Sequence, residues 1–199
     1  MTSLNKKFFE FFSIRTGLAV FAAGTLSLAS TLLGNSVIER NNAQQESIDF
    51  TVSQQLKEQQ ALELKRVQLV NERLERHVSC LAKNIYYEAG SESRTGKIAV
   101  ANVTLNRAAS GKFPNDVCDV VYQRRSGTCQ FSWVCDKGKH KPYGDSYQES
   151  KSIARMVLTR QIKPVIGKNV LYYHADYVNP NWDLQRVIKI GAHIFYTET

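Results

Sequence analysis

The sequence predicts an α+β fold that is mostly helical and that follows a membrane-spanning helix and a helical stalk. Three observations support this prediction. Residues 17–34 carry no charge. Apolar side chains recur with helical period in 64–81, 95–109 and 148–159. Residues 170–174 begin Val-Leu-Tyr-Tyr, a composition that is typical of a strand.

The N-terminal residues predict a single-pass anchor in the inner membrane. Residues 1–15 are basic and aromatic and form a cytoplasmic segment, and residues 16–38 form the spanning helix. Their uncharged run lies at the lower limit of length for a membrane span. Basic residues before the run place the N-terminus in the cytoplasm and the rest of the chain in the periplasm. Two alternatives remain open: a cleaved signal peptide, and release of this weakly hydrophobic helix from the bilayer.

Residues 39–79 predict a helical stalk between the membrane and a domain at 80–199. The segment is polar, and its apolar residues step by three or four positions from Leu64 to Leu81. This stripe packs against the domain or supports self-association, and the sequence leaves both open. The domain itself begins at Cys80.

The predicted elements of the domain alternate with irregular loops. Residues 119–123 are predicted as a short β-rich run, and residues 126–144 as a long loop. The remaining elements, in chain order, are a helix at 95–109, a helix at 148–159, a strand at 170–174, and a final helix or strand-helix element at 185–195.

Charge favours an anionic polymer as partner. The chain of 199 residues carries a net charge of +8. From Cys80 onward there are 17 Lys and Arg against 10 Asp and Glu, hence +7. A basic surplus attracts nucleic acid, anionic lipid or acidic cell-wall glycans. No zinc-finger or RNP-like motif can be found, so nucleic acid is not predicted as a partner.

The four cysteines predict two disulfides in an oxidising compartment. Three pairings are compatible with the sequence, and Cys80–Cys118 with Cys129–Cys135 is preferred. Free buried thiols in a cytosolic domain are the alternative. The cysteine spacings do not fit a zinc site, and the four histidines lack metal-type spacing. The sequence therefore predicts no metal and no cofactor.

Glu88 is the candidate catalytic residue. It follows Tyr86 and Tyr87 and has Ile85 and Ala89 as neighbours. Burial among such side chains raises the pKa of a carboxyl group. A carboxylic acid that is still protonated near neutral pH can act as a general acid. The alternative is a half-exposed helix residue without a chemical role.

From Cys80 onward the chain resembles the SleB-type cell-wall hydrolases. One departure is visible, since Gly90-Ser91 stands where the family has Arg-Gly. The resemblance lies in these blocks, in the family's order: Leu81 to Ala89; Gly96 to Val103 running into Asn106-Arg107; Phe113-Pro114 ahead of Val120 to Gln123; Gln130-Phe131-Ser132-Trp133; Tyr173-His174-Ala175; Pro180-x-Trp182; and Gly191-Ala192-His193-x-Phe195-Tyr196.

This resemblance implies a lysozyme-like, two-lobed catalytic domain that cuts the MurNAc–GlcNAc bond of peptidoglycan, with Glu88 as the single catalytic residue of a lytic transglycosylase. Glu92 and Asp176 are the candidates for a second carboxylate. Muramidase-type hydrolysis and a cell-wall amidase are the enzymatic alternatives. A non-catalytic envelope-binding or scaffold protein is the alternative from another class.

Six side chains are candidates for substrate binding. A glutamine amide and a serine hydroxyl can bond to sugar hydroxyl and amide groups, and aromatic faces can stack on pyranose rings. Packing in the core is the alternative for each of them. The six are Gln130, Phe131, Ser132, Tyr173, His174 and Trp182.

Overall fold

The computed structural model describes residues 27–138 and 140–199. Residues 1–26 lie outside the described part of the chain. They include the predicted cytoplasmic segment, 1–15, and the first part of the helix that is predicted to span the membrane at 16–38. Within the described part of the chain, no helix is both long enough and apolar enough to cross a membrane. One structural unit ends at Gln60, and the other comprises Ala61–Thr199.

Helix α1 spans Ser27–Ala89 and includes the whole predicted stalk. It continues through the predicted domain boundary at residue 80. From Gly34 to Arg73 nearly all of its side chains are exposed. Burial begins at Leu74, where the apolar stripe meets the other helices. Self-association through this stretch stays a prediction.

Three further helices pack around the end of α1. These are α2 (Arg94–Ala109), α3 (Val117–Val121) and α4 (Gly144–Leu158). Helix α2 is buried on two sides, which explains its run of small and branched apolar residues. One side joins a cluster formed by Val78, Leu81, Ala82, Ile85, Ile98, Ala101, Val117, Ile153, Ala154 and Val157.

The strands form a small hairpin and a separate sheet. In the hairpin, β1 (Arg124–Arg125) pairs antiparallel with β2 (Thr128–Cys129). The sheet contains β3 (Val170–Ala175), β4 (Gln185–Ile190) and β5 (His193–Thr197) in the order β3–β5–β4, with both pairs antiparallel. Its buried face meets the second side of α2 through Val170 and Phe195.

The structure confirms a mostly helical α+β fold, with two corrections. The β-rich run predicted at 119–123 is wrong, because most of it belongs to α3, whose first turn is capped by the Asp116 side chain. The final helix or strand-helix element predicted at 185–195 is also wrong. It is the β4–β5 hairpin, because Gly191, with φ +57°, turns the chain back on itself.

Asp116 connects α3 to α1. Its carboxylate accepts hydrogen bonds from the backbone N–H groups of Cys118 (2.9 Å) and Asp119 (3.3 Å). It also accepts from Arg76 Nη2 at 2.6 Å and lies 2.8 Å from His77 Nε2. The disulfide between Cys80 and Cys118 joins the same two helices. This corner of the domain is therefore held by both charge and a covalent bond.

We expect Asp116→Asn to lower the free energy of unfolding by about 1–2 kcal/mol at pH 7. Partial burial alone raises the pKa of Asp116, but hydrogen bonds from His77, Arg76 and two backbone amides outweigh it and lower the pKa from 3.8 to about 2. A carboxylate with a depressed pKa stabilises the fold above its unfolded pKa. That contribution is lost as the pH falls from about 4 towards 2.

Urea unfolding at several pH values measures this effect. Asp119→Asn is the matched control, because it removes the same charge from an exposed position of the same helix. It should change stability by less than about 0.5 kcal/mol. A destabilisation by Asp116→Asn that stays constant down to pH 2 would contradict the assignment.

Candidate active site

Glu88 lies in the last turn of α1, which ends at Ala89. The N–H of Glu92 closes the turn by donating to the Ala89 carbonyl at 3.0 Å. Glu88 is half-buried, so it is neither sealed in the core nor fully exposed. Tyr173, on β3, donates from its hydroxyl to Glu88 Oε2 at 3.1 Å.

A cavity of about 290 Å³ opens beside Glu88. Its wall combines aromatic faces with hydrogen-bonding groups, a mixture that suits a sugar with apolar faces and hydroxyl edges. Five of the six predicted substrate-binding residues contribute to it, and His174 does not. The lining residues are Glu88, Arg107, Gln130, Phe131, Ser132, Tyr172, Tyr173 and Trp182.

Arg107 supplies a buried cation to the cavity. Only 4% of the residue is exposed. Its Nε donates to the Leu171 carbonyl at 2.7 Å, and its guanidinium lies over the rings of Phe113 (5.0 Å) and Phe131 (5.3 Å). Cation–π contacts hold the charge in place, and Arg107 forms no salt bridge with the residues that the structure describes. Its Nη1 is buried and finds no hydrogen-bond partner within the described part of the chain.

The surroundings of Glu88 are more polar than the sequence predicts. Burial raises the pKa of the Tyr173 hydroxyl well above its usual value, and the charge of Glu88 raises it further, against the opposing charge of Arg107. Tyr173 therefore remains a donor at any working pH. Burial lowers the pKa of Arg107, and the nearby tyrosines and Glu88 oppose that shift. Arg107 nevertheless remains a cation at any working pH, because arginine is effectively always protonated in proteins.

One wall of the cavity is a short loop closed by the Cys129–Cys135 disulfide. Gln130, Phe131 and Ser132 all lie inside this loop. Trp133, the next residue of the loop, is 9% exposed and stacks on Tyr87. Its Nε1 donates to the buried Asn84 at 3.1 Å. Trp133 therefore anchors the loop to α1.

The two candidates for a second carboxylate lie away from this cavity. Glu92 accepts a hydrogen bond from the N–H of Ala192 at 3.1 Å and fixes the β4–β5 turn. A Cβ at Gly191 would overlap its carboxylate, and the φ of +57° at this position also favours glycine. Asp176 forms an ion pair with Lys189 at 2.7 Å, and that contact lowers the pKa of Asp176.

Two histidines belong to the sheet, His174 to β3 and His193 to β5, and both make contacts within the protein. His174 Nδ1 lies 2.8 Å from the Ala175 carbonyl, so it carries a proton, and Nε2 lies 2.8 Å from the Tyr196 hydroxyl. His193 is buried, and burial lowers its pKa. Among residues 27–138 and 140–199, no cluster of three or more His, Cys, Asp or Glu side chains could hold a metal ion.

Arg107 and Tyr172 also line the cavity, although neither is among the site residues predicted from the sequence. Arg107 belongs to one of the blocks that carry the family resemblance, and Tyr172 directly precedes another, which begins at Tyr173. An arginine near the end of a helix rich in small and branched apolar residues was the available signal. Its burial depends on Phe113 and Phe131, and helical period does not reveal those contacts.

Known proteins match this part of the chain. A family model described as Cell Wall Hydrolase matches residues 91–196, beginning three residues after Glu88. The spore cortex-lytic enzyme of Bacillus cereus is 30% identical over 122 residues, which are 59% of this chain and 43% of the relative. The Bacillus subtilis enzyme of the same name is 30% identical over 125 residues, which are 59% of this chain and 36% of that relative. The chain thus spans less than half the length of these relatives.

Two solved structures are also similar. The catalytic domain of the Bacillus cereus SleB protein is 28% identical, with a TM-score of 0.49, covering 62% of this chain and 91% of that chain. The catalytic domain of the germination-specific lytic transglycosylase SleB from Bacillus anthracis is 30% identical, also with a TM-score of 0.49, covering 61% and 93%.

Proposed function

The chain belongs to the cell wall hydrolase family, and from this premise we propose that its C-terminal unit cleaves the glycan strands of peptidoglycan. The bond proposed to break joins N-acetylmuramic acid to N-acetylglucosamine. The observation that carries the proposal is the position of Glu88, a half-buried carboxyl group that lines a cavity walled by aromatic and hydrogen-bonding side chains. A groove between two lysozyme-like lobes remains part of this proposal.

In the proposed reaction, the Glu88 carboxyl group donates its proton to the bridging oxygen, and the bond from that oxygen to C1 of the muramic sugar breaks. The carbonyl oxygen of the sugar's own N-acetyl group shields the positive charge at C1. The Glu88 carboxylate then takes the proton of the 6-hydroxyl while O6 bonds to C1. A 1,6-anhydro ring closes, and Glu88 is protonated again.

A lytic transglycosylase needs only one carboxyl group, whereas most glycosidases use two. Glu88 is the single carboxylate among the described residues that line the cavity. Glu92 is engaged by the β4–β5 turn, and Asp176 by Lys189. These contacts favour the transglycosylase over a hydrolase with two carboxylates.

Tyr173 and Arg107 suit the stage at which Glu88 carries a negative charge. The Tyr173 hydroxyl is already aimed at Glu88, and Arg107 contributes a fixed cation to the same cavity. Preorganised donors and charges of this kind stabilise developing charge without having to rearrange. We propose that both residues position the Glu88 carboxylate between the two proton transfers.

Digesting purified sacculi with the full chain and determining the product ends by mass tests the proposal. We expect 1,6-anhydro ends, which are lighter by one water molecule than reducing ends. Reducing ends would identify a muramidase, and free stem peptides an amidase. Unchanged sacculi would overturn the enzymatic proposal in favour of an envelope-binding protein.

The proposed place of action is the cell wall outside the cytoplasmic membrane. The two disulfides, Cys80–Cys118 and Cys129–Cys135, support an oxidising compartment. The division into segments 1–15, 16–38, 39–79 and 80–199, with an anchored or released N-terminal helix, stays a proposal. Fractionation of cells that express the full chain tests the anchoring.

We expect Tyr173→Phe to lower the cleavage rate about tenfold, because it removes a charge-assisted hydrogen bond to Glu88. The fold should be retained, since the ring keeps its contacts with His193 and Phe195. The initial rate of muropeptide release and the urea midpoint measure the two effects separately.

Tyr172→Phe is the matched control for this variant. Tyr172 lines the same cavity from the same strand, but its hydroxyl donates to Glu198 at 2.9 Å instead of to Glu88. Its loss of activity should therefore be smaller. Equal losses in the two variants would remove the proposed role of the Tyr173 hydroxyl.

A further inference from the structure

A second cavity, also about 290 Å³, lies along the β1–β2 hairpin and is lined by Gln123, Arg125, Thr128, Cys129 and Gln130. Its position follows from the hairpin register. Arg125 pairs with Thr128, and the N–H of Gln130 donates to the Gln123 carbonyl at 2.9 Å. Side chains alternate along a strand, and paired residues share a face. Gln123, Arg125, Thr128 and Gln130 therefore form one polar face, which we call the hairpin face.

The hairpin turn keeps this face in a defined shape. Ser126 and Gly127 have φ values of 48° and 81°, as a two-residue turn with positive φ at both positions requires. The disulfide between Cys129 and Cys135 ties the second strand to the loop that carries Gln130. The turn and the disulfide therefore fix the positions of the groups on the hairpin face.

The chemistry of the hairpin face fits a peptide. Arg125 presents an exposed guanidinium, the side chain best suited to bind a carboxylate. The side-chain oxygen of Gln123 is buried and accepts no hydrogen bond within the described part of the chain. The last torsion of a glutamine is soft, so this amide can turn to meet an N–H donor. A ligand that offers both an amide N–H and a carboxylate satisfies both residues.

Gln130 joins the hairpin face to the site of cleavage, because it lines both this cavity and the cavity of Glu88. A sugar bound beside Glu88 therefore has its substituents within reach of the hairpin face. In peptidoglycan the muramic sugar carries a peptide rich in amide and carboxylate groups. The basic surplus of the C-terminal region, 17 Lys and Arg against 10 Asp and Glu from Cys80 onward, suits the same ligand.

We propose that the hairpin face binds the peptide substituent of the muramic sugar, so that this chain selects peptide-bearing glycan strands over bare ones. The proposal rests on the proposed function and adds a substrate preference to it. Arg125 binds a peptide carboxylate, and Gln123 accepts from a peptide N–H. The preference resides in residues that take no part in the proton transfers.

The test compares two substrates and two variants of the full chain. One substrate is a soluble, uncross-linked glycan strand that carries its peptides, and the other is the same strand after an amidase has removed them. Arg125→Gln removes the cation from the hairpin face. Arg124→Gln is the matched control, because Arg124 is also exposed, at the neighbouring position, but belongs to the opposite face of the ribbon.

On peptide-bearing strands, we expect Arg125→Gln to lower kcat/KM about three- to tenfold, the effect of one guanidinium–carboxylate contact. Arg124→Gln should leave kcat/KM unchanged within about twofold. The loss in Arg125→Gln should shrink on stripped strands. Equal kcat/KM of the wild type on both strands, or equal losses in both variants, would overturn the proposal.

A binding measurement separates this outcome from failure of the proposed function. The full chain is titrated with N-acetylmuramyl dipeptide and with di-N-acetylchitobiose, which carries no peptide. If the wild type cuts neither strand, the proposed function fails. The titration then tests by itself whether the hairpin face binds a peptide. Tighter binding of the dipeptide that weakens in Arg125→Gln supports the peptide site. Equal binding of the two ligands, or binding unaffected by the substitution, overturns it.

Discussion

Replacing Glu88 by Gln is expected to lower the rate of glycan cleavage by about two to four orders of magnitude, the usual contribution of general acid–base catalysis. Glutamine keeps the shape of the side chain and can still accept the hydrogen bond from Tyr173. It cannot donate a proton to the bridging oxygen. We therefore expect a folded protein with an unchanged urea midpoint and almost no release of muropeptides from sacculi.

Glu92→Gln and Asp176→Asn are the matched controls, because each removes one carboxylate away from the cavity. Both should be milder in their effect on rate. Glu92→Gln weakens the contact with the Ala192 N–H and should act mainly on stability. A loss of rate from Glu92→Gln as large as that from Glu88→Gln would mean a mechanism with two carboxylates.

Removing the Cys80–Cys118 disulfide is expected to lower the free energy of unfolding by about 3–4 kcal/mol. The bond links residues 38 positions apart, and in the chain-entropy description a cross-link of that span restricts the unfolded state by about this amount. The Cys80→Ala/Cys118→Ala variant, measured by urea unfolding against the wild type with and without reductant, gives the value.

The second disulfide provides the matched comparison. Cys129 and Cys135 are only 6 positions apart, so Cys129→Ala/Cys135→Ala should cost less stability, about 2 kcal/mol. It should reduce the cleavage rate more, because the loop that it closes carries Gln130, Phe131 and Ser132. A urea midpoint that reductant leaves unchanged would contradict a stabilising role for either bond.

The long helices could be predicted from sequence because their apolar positions follow one period. Residues 95–109 and 148–159 correspond closely to α2 and α4. The same reasoning failed for α3, a single short turn. Its stability depends on Asp116, which is bonded to Arg76 and His77 some 40 positions earlier in the chain. No local pattern records such a contact.

The candidate site could be predicted only where its residues are neighbours in the sequence. Glu88 and its aromatic neighbours are adjacent in sequence, whereas the contact of Glu88 with Tyr173 spans 85 positions. The turn and the second strand of the β1–β2 hairpin lie inside the loop predicted at 126–144. The sequence did not predict them, since the turn requires positive φ at Ser126, a residue that rarely adopts it. The hairpin face therefore emerges only from the folded chain.

The close contact between Glu92 and Gly191 has a consequence for how relatives of this chain can diverge. A side chain at position 191 would overlap the Glu92 carboxylate and would also be strained at φ +57°. A smaller residue at position 92 would remove the overlap but not this strain. We therefore expect position 191 to remain glycine across homologues, even where position 92 is not glutamate.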